Sequence, residues 1–553
     1  MEWERIELRI EGMTCDGCAA HVRQALEEVA GVRSVVVPDW REGRAAVVVE
    51  RGLPDKRLVD AVAGAGYGAT LVSRGPLAEK GEPVRPGEAE VDLLIIGAGS
   101  AGFAAGIRAA ELGYSALMVE QGIIGGTCVN VGCVPSKTLL RTAEAYHRAF
   151  HSPFAGVQPQ GAELDWRAVI REKDELVARL RREKYEKVLE VYPSLNLVRG
   201  RACLTNDGGV KVNGRTYRPA RVLIATGAHP YIPPFPGVDE VEVLTSTEAL
   251  ALPERPERLV VLGGRYVALE LAQMFARFGS RVVLLQRSGR ILPDHEPEIA
   301  QALTDYLREE GVEVYTGTTV LRLGQEGAEK FVEAEVSGKR RVFRATHILV
   351  ATGRRANTDG LGLKAAGVET DGRGFVRVDG AMRTTNPRVY AAGDVTGPPM
   401  LVYLAAAEGK RAAENALLGR TEPLDRRVVP AVLFTDPQVA TVGLTEAEAR
   451  ERGIEVRTSL LPLDYVPRAL AARDTRGLIK LVAEVGTGRL LGAHILAAEG
   501  GEGIQTATMA LQAGMTVQDL VDTLFPYLTQ VEGLKLAALG FDKDVEHLSC
   551  CAG

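Results

Sequence analysis

Three close pairs of cysteines are the residues of this chain best suited to chemistry. Cys15/Cys18, Cys128/Cys133 and Cys550/Cys551 make up all but one of its 7 cysteines, and Cys203 stands alone. Such pairs suit metal ligation or redox exchange better than a structural disulfide framework, which belongs to small secreted chains. Gly12-Met13-Thr14-Cys15-Asp16-Gly17-Cys18 puts two thiols at i and i+3 where a helix begins. The helix N-terminus lowers their pKa, and both can reach one soft ion in near-linear coordination. A thioredoxin-like redox role is the other chemistry open to a C-x-x-C pair, but the order of elements around this one is not thioredoxin's. His21, one turn after Cys18, reads as an exposed helix residue rather than a third ligand, and Cys203 as a core residue.

The second pair lies in Gly125-Gly126-Thr127-Cys128-Val129-Asn130-Val131-Gly132-Cys133-Val134-Pro135-Ser136-Lys137, which opens a helix expected to run to about Phe150. A helix N-terminus stabilises a thiolate, and a second Cys about one and a half turns on can approach the first. That dithiol can exchange, bind a soft metal or donate electron density to a neighbouring ring. The third pair, Cys550-Cys551, is followed only by Ala552-Gly553, and free thiols at such a place are a liability that needs a reason.

A different chemistry is written in glycines. Gly97, Gly99 and Gly102 follow an apolar strand and open a helix, and Glu120 ends the next strand, where a carboxylate can accept hydrogen bonds from ribose hydroxyls. The glycines let the backbone approach a pyrophosphate held at the helix N-terminus. The whole stretch from Val91 to Gln121 returns as Leu259 to Arg287, with Gly97/Gly263, Gly113/Gly279 and Glu120/Gln286 at one constant spacing. In the second copy, Gly263 and Gly264 are followed by Arg265 where the middle Gly would be, so a pyrophosphate there is held less closely. Gln286 replaces the acid, and Arg287 and Arg290 follow it, which removes repulsion of a 2′-phosphate and favours NADPH over NADH. Ala225-Thr226-Gly227 and Ala351-Thr352-Gly353, each after an apolar strand, close the two units.

These groups need a scaffold, and the apolar periodicity supplies one. Residues 1–72 read as βαββαβ, a ferredoxin-like order, and the Gly-, Pro- and charge-rich stretch 73–89 reads as a linker. Two tandem Rossmann-like nucleotide-binding domains follow: 90–240, 241–360, and a return to the first at 361–429. A C-terminal α+β domain spans 430–553, so the fold class is α/β overall. At 553 residues, 46% hydrophobic and 25% charged, the chain can bury several cores. A net charge of −6 without a basic run excludes a nucleic-acid partner. The N-terminus lacks the pattern of a signal peptide, and no apolar stretch reaches the ~18 residues that cross a bilayer, so a cytoplasmic protein is expected.

From about residue 90 to 545 the chain resembles the pyridine nucleotide–disulfide oxidoreductases, through the Gly turn, the Cys128/Cys133 segment, both Ala-Thr-Gly motifs and Ala392-Gly393-Asp394. The resemblance implies FAD at the first turn, with Cys133 against the flavin, Cys128 as the exchanging thiol, and Lys137 near N5 and paired with Glu270. It places Asp394 on the ribityl chain and the Ala202 backbone at the adenine. Gly122, Thr127, Thr226, Gly227 and Val402 complete the flavin contacts, and Gly353 belongs with the NADPH set. Tyr266 is implied to swing aside for the nicotinamide. Members of the family are homodimers built on a C-terminal dimerisation domain.

Those members that reduce disulfides carry a His-Pro…Glu stretch, whose imidazole protonates the leaving thiolate. Here Glu532 survives but Tyr527 stands where the His would be, and a phenol with a pKa of roughly 10 is a poor base at neutral pH. With Cys550/Cys551, this is similar to members whose substrate is mercuric ion. Residues 1–72 are similar to heavy-metal-associated domains through Gly-Met-Thr-Cys-x-Gly-Cys. The expected function is NADPH-dependent reduction of Hg(II) to Hg(0) through FAD. The metal, as a thiolate complex, would pass from Cys15/Cys18 to Cys550/Cys551 of a tail crossing to the other subunit, and then to Cys128/Cys133. The competing expectations are a disulfide reductase of the lipoamide dehydrogenase or glutathione reductase type, and a metal carrier or sensor.

Overall fold

The computed structural model describes residues 3–14, 16–37, 40, 43–76 and 90–547. Cys15, Cys550 and Cys551 lie outside them, as does most of the expected linker. The chain divides into two compact units, the first gathering 1–126, 181–228 and 356–424 and the second 127–180, 229–355 and 425–553.

The first unit begins with the ferredoxin-like domain. Its antiparallel sheet runs in the order Val32–Val36, Arg44–Glu50, Trp3–Glu11, Gly68–Pro76, with helices Asp16–Glu27 and Asp55–Gly64. Alternating apolar residues such as Ile6, Leu8, Val47 and Val49 point to one buried face and meet Val22, Leu26, Leu58 and Val62 of the helices. The last strand continues to Pro76 and pairs it with Glu4, because Arg74 is held by Glu4 at 2.5 Å and by Asp55 at 2.5 Å. The folded domain therefore ends four residues later than the sequence suggested.

The rest of the first unit is a five-stranded parallel sheet in the order Val389–Ala391, Pro219–Ile224, Val91–Ile96, Ala116–Glu120, Leu195–Arg199. Its strands read as continuous apolar runs because both faces are covered. One face carries helix Ser100–Glu111, and helix Val402–Leu418 lies on that helix. Gly409 makes that approach possible, since a Cβ there would stand 2.1 Å from the Ala101 carbonyl oxygen.

In the second unit a four-stranded parallel sheet runs Glu313–Tyr315, Arg281–Leu285, Arg258–Leu262, His347–Val350. Helix Cys133–Arg148 packs here through Leu139 and Ala143, in one core with Phe275 of helix Tyr266–Arg277 and Phe278 just after it. The C-terminal part is a five-stranded antiparallel sheet, Ala431–Leu433, Gln438–Gly443, Leu490–Ala497, Leu478–Glu484, Val456–Pro462, backed by helices Gly500–Gln512 and Glu532–Leu539. Lys480, buried, ties this domain to the nucleotide domain by donating to Glu296 at 2.8 Å and Glu298 at 2.9 Å, while Glu446 of its own domain stands at 2.9 Å. Among the described residues no helix is long and apolar enough to cross a membrane.

Candidate active site

The thiol segment is two helices rather than one. Helix Gly126–Val131 carries Cys128, the chain breaks at Gly132, and a new helix, Cys133–Arg148, starts on the second cysteine. The break has a steric cause: Gly132 packs so close to Thr127 that a Cβ there would meet its carbonyl oxygen at 2.9 Å. Pro135, third in the new helix, lacks an N–H that would have no intrahelical acceptor anyway. Cys133 thus gains a helix N-terminus of its own, the position at which the dipole most favours a thiolate.

Cys128 and Cys133 are separate thiols joined by a hydrogen bond. The bond from Cys128, helped by the nearby Lys137 ammonium and opposed by desolvation, holds Cys133 down at about 7. The same bond pushes the Cys128 thiol far above its ordinary range. The pair therefore favours the thiolate on exposed Cys133 and keeps half-buried Cys128 as a thiol. Lys137 reaches the buried carboxylate of Glu270 at 2.7 and 3.0 Å, and lies 4.8 Å from the centre of the Phe434 ring. Glu270 also accepts from the Phe434 N–H at 3.0 Å, a contact across 164 positions that no local pattern announces.

In the first unit the Gly turn is built for close approach. Gly97 has φ +109° and no room for a Cβ, which would fall 2.4 Å from the Ala225 carbonyl oxygen, and a Cβ on Gly102 would fall 2.1 Å from that of Gly97. Glu120 Oε2 accepts from Ala98 N–H at 2.8 Å and Oε1 from Gly122 N–H at 2.6 Å, which leaves both oxygens lone pairs for ribose hydroxyls. Thr226 Oγ1 is buried without a hydrogen-bond partner in the protein. Asn357 secures the neighbouring carbonyls: its Nδ2 donates to that of Thr226 at 2.8 Å and its N–H to that of Gly227 at 3.0 Å. Asp394 opens a short 3-10 turn after Gly393, whose N–H is held at 2.7 Å by the buried carboxylate of Glu408. Sequence reasoning missed Glu408, whose only signal is an acid in the middle of an apolar helix that Val402 begins. Ala202 is buried in this unit, and Cys203 beside it is half-buried, with its thiol 3.6 Å from the Leu204 carbonyl oxygen. A cradle of this kind, with an orphaned hydroxyl and a helix N-terminus, fits the dinucleotide FAD.

The second turn repeats the first. A Cβ on Gly263 would lie 2.5 Å from the Ala351 carbonyl oxygen, and Ala268 takes the place of the third glycine. Gln286 is buried beneath Gly264, and Arg287 and Arg290 are exposed. Arg265 pairs with Asp294, and Tyr266 Oη lies 3.0 Å from His295 Nε2. Gly353, with φ +154°, accepts from the Tyr231 N–H at 3.0 Å.

The remaining predicted residues belong to other elements. Tyr527 lies on an exposed loop with Leu524, which is 93% exposed, and Leu528. Glu532, buried below, accepts from the Leu528 N–H at 3.2 Å and so props up the left-handed turn that presents Tyr527. In the N-terminal domain Cys18 is half-buried, with Thr14 Oγ1 at 3.6 Å from its sulfur. His21 is exposed and meets Tyr67 edge-on at 6.0 Å.

The chain belongs to the pyridine nucleotide-disulphide oxidoreductase family, whose model matches residues 91–409, with that family's dimerisation domain at 429–538 and a heavy-metal-associated domain at 7–68. It is similar to the mercuric reductase of Staphylococcus aureus, at 46% identity over 547 residues that cover 99% of each chain. The mercuric reductase of Acidithiobacillus ferrooxidans is 47% identical over 557 residues, again 99% of each chain. Among solved structures, the HOCl-induced flavoprotein disulfide reductase RclA from Escherichia coli is 31% identical, with a TM-score of 0.72 over 81% of this chain and 99% of that one. As a member of its family the chain is an oxidoreductase that uses FAD and NADPH.

Proposed function

We infer that the chain reduces Hg(II) to Hg(0) with NADPH, through FAD and the Cys128/Cys133 dithiol. The observation that carries this reading is the pair itself: two free thiols joined by a hydrogen bond, with Cys133 exposed at the start of its helix and its pKa lowered by Cys128. A soft two-coordinate cation prefers two thiolates, and this pair offers one that ionises readily and one that does so by releasing its proton to the incoming ion's departing ligand. In overall balance a mercuric bis-thiolate, NADPH and a proton give Hg(0), NADP⁺ and two thiols.

FAD, when bound, accepts the hydride of NADPH and supplies two electrons for the metal. Gly97, Gly99, Gly102, Gly122, Thr127, Ala202, Thr226, Gly227, Asp394 and Val402 would hold it, with Glu120 on the ribose. Gly263, Gly264, Arg287, Arg290 and Gly353 would hold NADPH, and Tyr266 yields its place to the nicotinamide. Lys137, held in place by Glu270, favours the Cys133 thiolate.

Mercuric ion arrives by exchange of one thiolate at a time, from Cys15/Cys18 to Cys550/Cys551 and on to Cys128/Cys133. At no point does a free ion have to dissociate, a step far too slow from a dithiol. The dimerisation domain supports a homodimer, and the exposed Leu524, Tyr527 and Leu528 suit such an interface. In that dimer the tail would serve the partner's thiol pair. Tyr527 then lines the inner metal site in place of an imidazole acid. The cytoplasm, where NADPH and small thiols are both plentiful, is the compartment in which this chemistry can run.

The test is NADPH consumption by the purified flavoprotein with mercuric ion plus excess thiol, set against consumption with oxidised glutathione or oxidised lipoamide. Consumption that depends on mercury supports the reading. Consumption that depends only on a disulfide would make the chain a disulfide reductase, and none with either would leave it a carrier.

A further inference from the structure

Three successive residues of the second glycine turn are each tied to one short loop. Gly264 accepts from the Leu292 N–H at 2.9 Å, Arg265 pairs with Asp294, and Tyr266 Oη lies 3.0 Å from His295 Nε2. The loop is braced from within: Arg290 Nη2 donates to the Pro293 carbonyl at 2.7 Å and to that of His295 at 3.2 Å. It is also held in a costly conformation, since Leu292 is a buried leucine with φ +44°. A loop fastened this way covers the turn by design of its contacts rather than by chance proximity.

The two side-chain ties differ in kind. His295 Nδ1 is buried without a hydrogen-bond partner. If that nitrogen carried the proton, an N–H would be buried unsatisfied, so Nε2 carries it and donates to Tyr266 Oη. Burial keeps the ring neutral by lowering its pKa to about 4. The Arg265–Asp294 pair, by contrast, is exposed at both ends, and such pairs are cheap to break. Arg265 is the residue that opens helix Tyr266–Arg277, the end at which a pyrophosphate would be bound, and a guanidinium prefers a doubly charged, bidentate phosphate partner to a single carboxylate.

We propose that Asp294 and His295 form a latch on the dinucleotide turn: His295 holds the Tyr266 ring closed, Asp294 stands in for phosphate on Arg265, and the two release together when NADPH binds. The proposal rests on the reading of Tyr266 as the side chain that yields to the nicotinamide. Adjacency supplies the coupling. When the pyrophosphate takes Arg265, Asp294 is expelled, and the displacement falls on its neighbour in the chain, which is the residue that bonds Tyr266. The backbone tie from Leu292 to Gly264 remains to return the loop when NADP⁺ leaves.

The experiment uses the full-length, FAD-loaded protein and measures NADP⁺ affinity by calorimetry, with flavin reduction by NADPH followed after rapid mixing. Closing the gate competes with binding, so Tyr266→Phe and His295→Phe each tighten NADP⁺ about fivefold, the effect of one hydrogen bond of about 1 kcal/mol. The double variant binds no tighter than either single one, and His295→Gln, which keeps a donor, returns toward the parent value. Asp294→Asn tightens NADP⁺ by a similar factor. Additive effects of the two single variants, or no change in either, overturn the latch. Tyr266→Ala separates the two readings: if it alters NADP⁺ affinity while Tyr266→Phe and His295→Phe do not, the gate stands and the latch falls, and if it alters nothing, both fall.

Discussion

Lys137 Nζ stands 2.7 Å from Glu270 Oε2, and Glu270 is at the same time the acceptor for the Phe434 N–H. The ammonium one turn along the helix from Cys133 is therefore fixed rather than free to wander. The two charges pull the Cys133 thiol in opposite directions, Lys137 down and Glu270 up. Glu270→Gln is expected to move the midpoint of Cys133 alkylation below the parent value of about 7, and Lys137→Gln to move it above. The pH profile of iodoacetamide labelling on the reduced protein reads both shifts.

Gly409 predicts a packing cost. A methyl group at this position would enter the Ala101 carbonyl oxygen at 2.1 Å, and backbone cannot step aside as a side-chain tip can. Gly409→Ala should cost about 1–3 kcal/mol, the usual range for overpacking, and loosen FAD by shifting helix Ser100–Glu111. Thermal melting and retention of flavin through gel filtration check it.

Acid should destabilise the second unit in a definite window. His295 titrates at about 4 when folded against an ordinary value of 6.5. Above 6.5 both states are neutral and nothing is lost. As pH falls from 6.5 toward 4 the unfolded chain takes up a proton that the folded one refuses, so stability drops, and below 4 the drop stops. Its full size is about 3 kcal/mol from this one group. Urea unfolding at a series of pH values should show a shallower decline in His295→Gln than in the parent.

The tail makes a separate prediction. Cys551→Ala should lower mercury-dependent turnover about tenfold or more while flavin reduction by NADPH keeps its rate, because only ligand exchange is touched. Unchanged turnover with small thiols present would remove the tail from the route.

What the sequence made legible is what sterics make local. Gly97 and Gly263 could be read because each forbids a Cβ, and the close approach of a carbonyl recurs in both copies. The cysteine pairs could be read because a sulfur pair at that spacing has few uses. The break at Gly132 was hidden, since it depends on how Thr127 turns back on the chain. Glu408 was hidden because its partner, the Gly393 N–H, lies on another element. The Asp294 and His295 ties were hidden for the same reason: a charged loop pattern says nothing of what it will fold against.

The two copies of the turn differ in one way that bears on access rather than on backbone shape. Each is held by the loop that follows it, Ala98 accepting from the Gly125 N–H at 2.8 Å and Gly264 from the Leu292 N–H at 2.9 Å. From Gly97 to Gly102 every residue is Gly, Ala or Ser, so no long side chain stands between a ligand and that backbone. In the second copy the middle glycine has become Arg265, already paired with Asp294, so a pyrophosphate there would first have to displace that pair. The same cradle, written twice, is thus an unguarded berth in one copy and a guarded counter in the other.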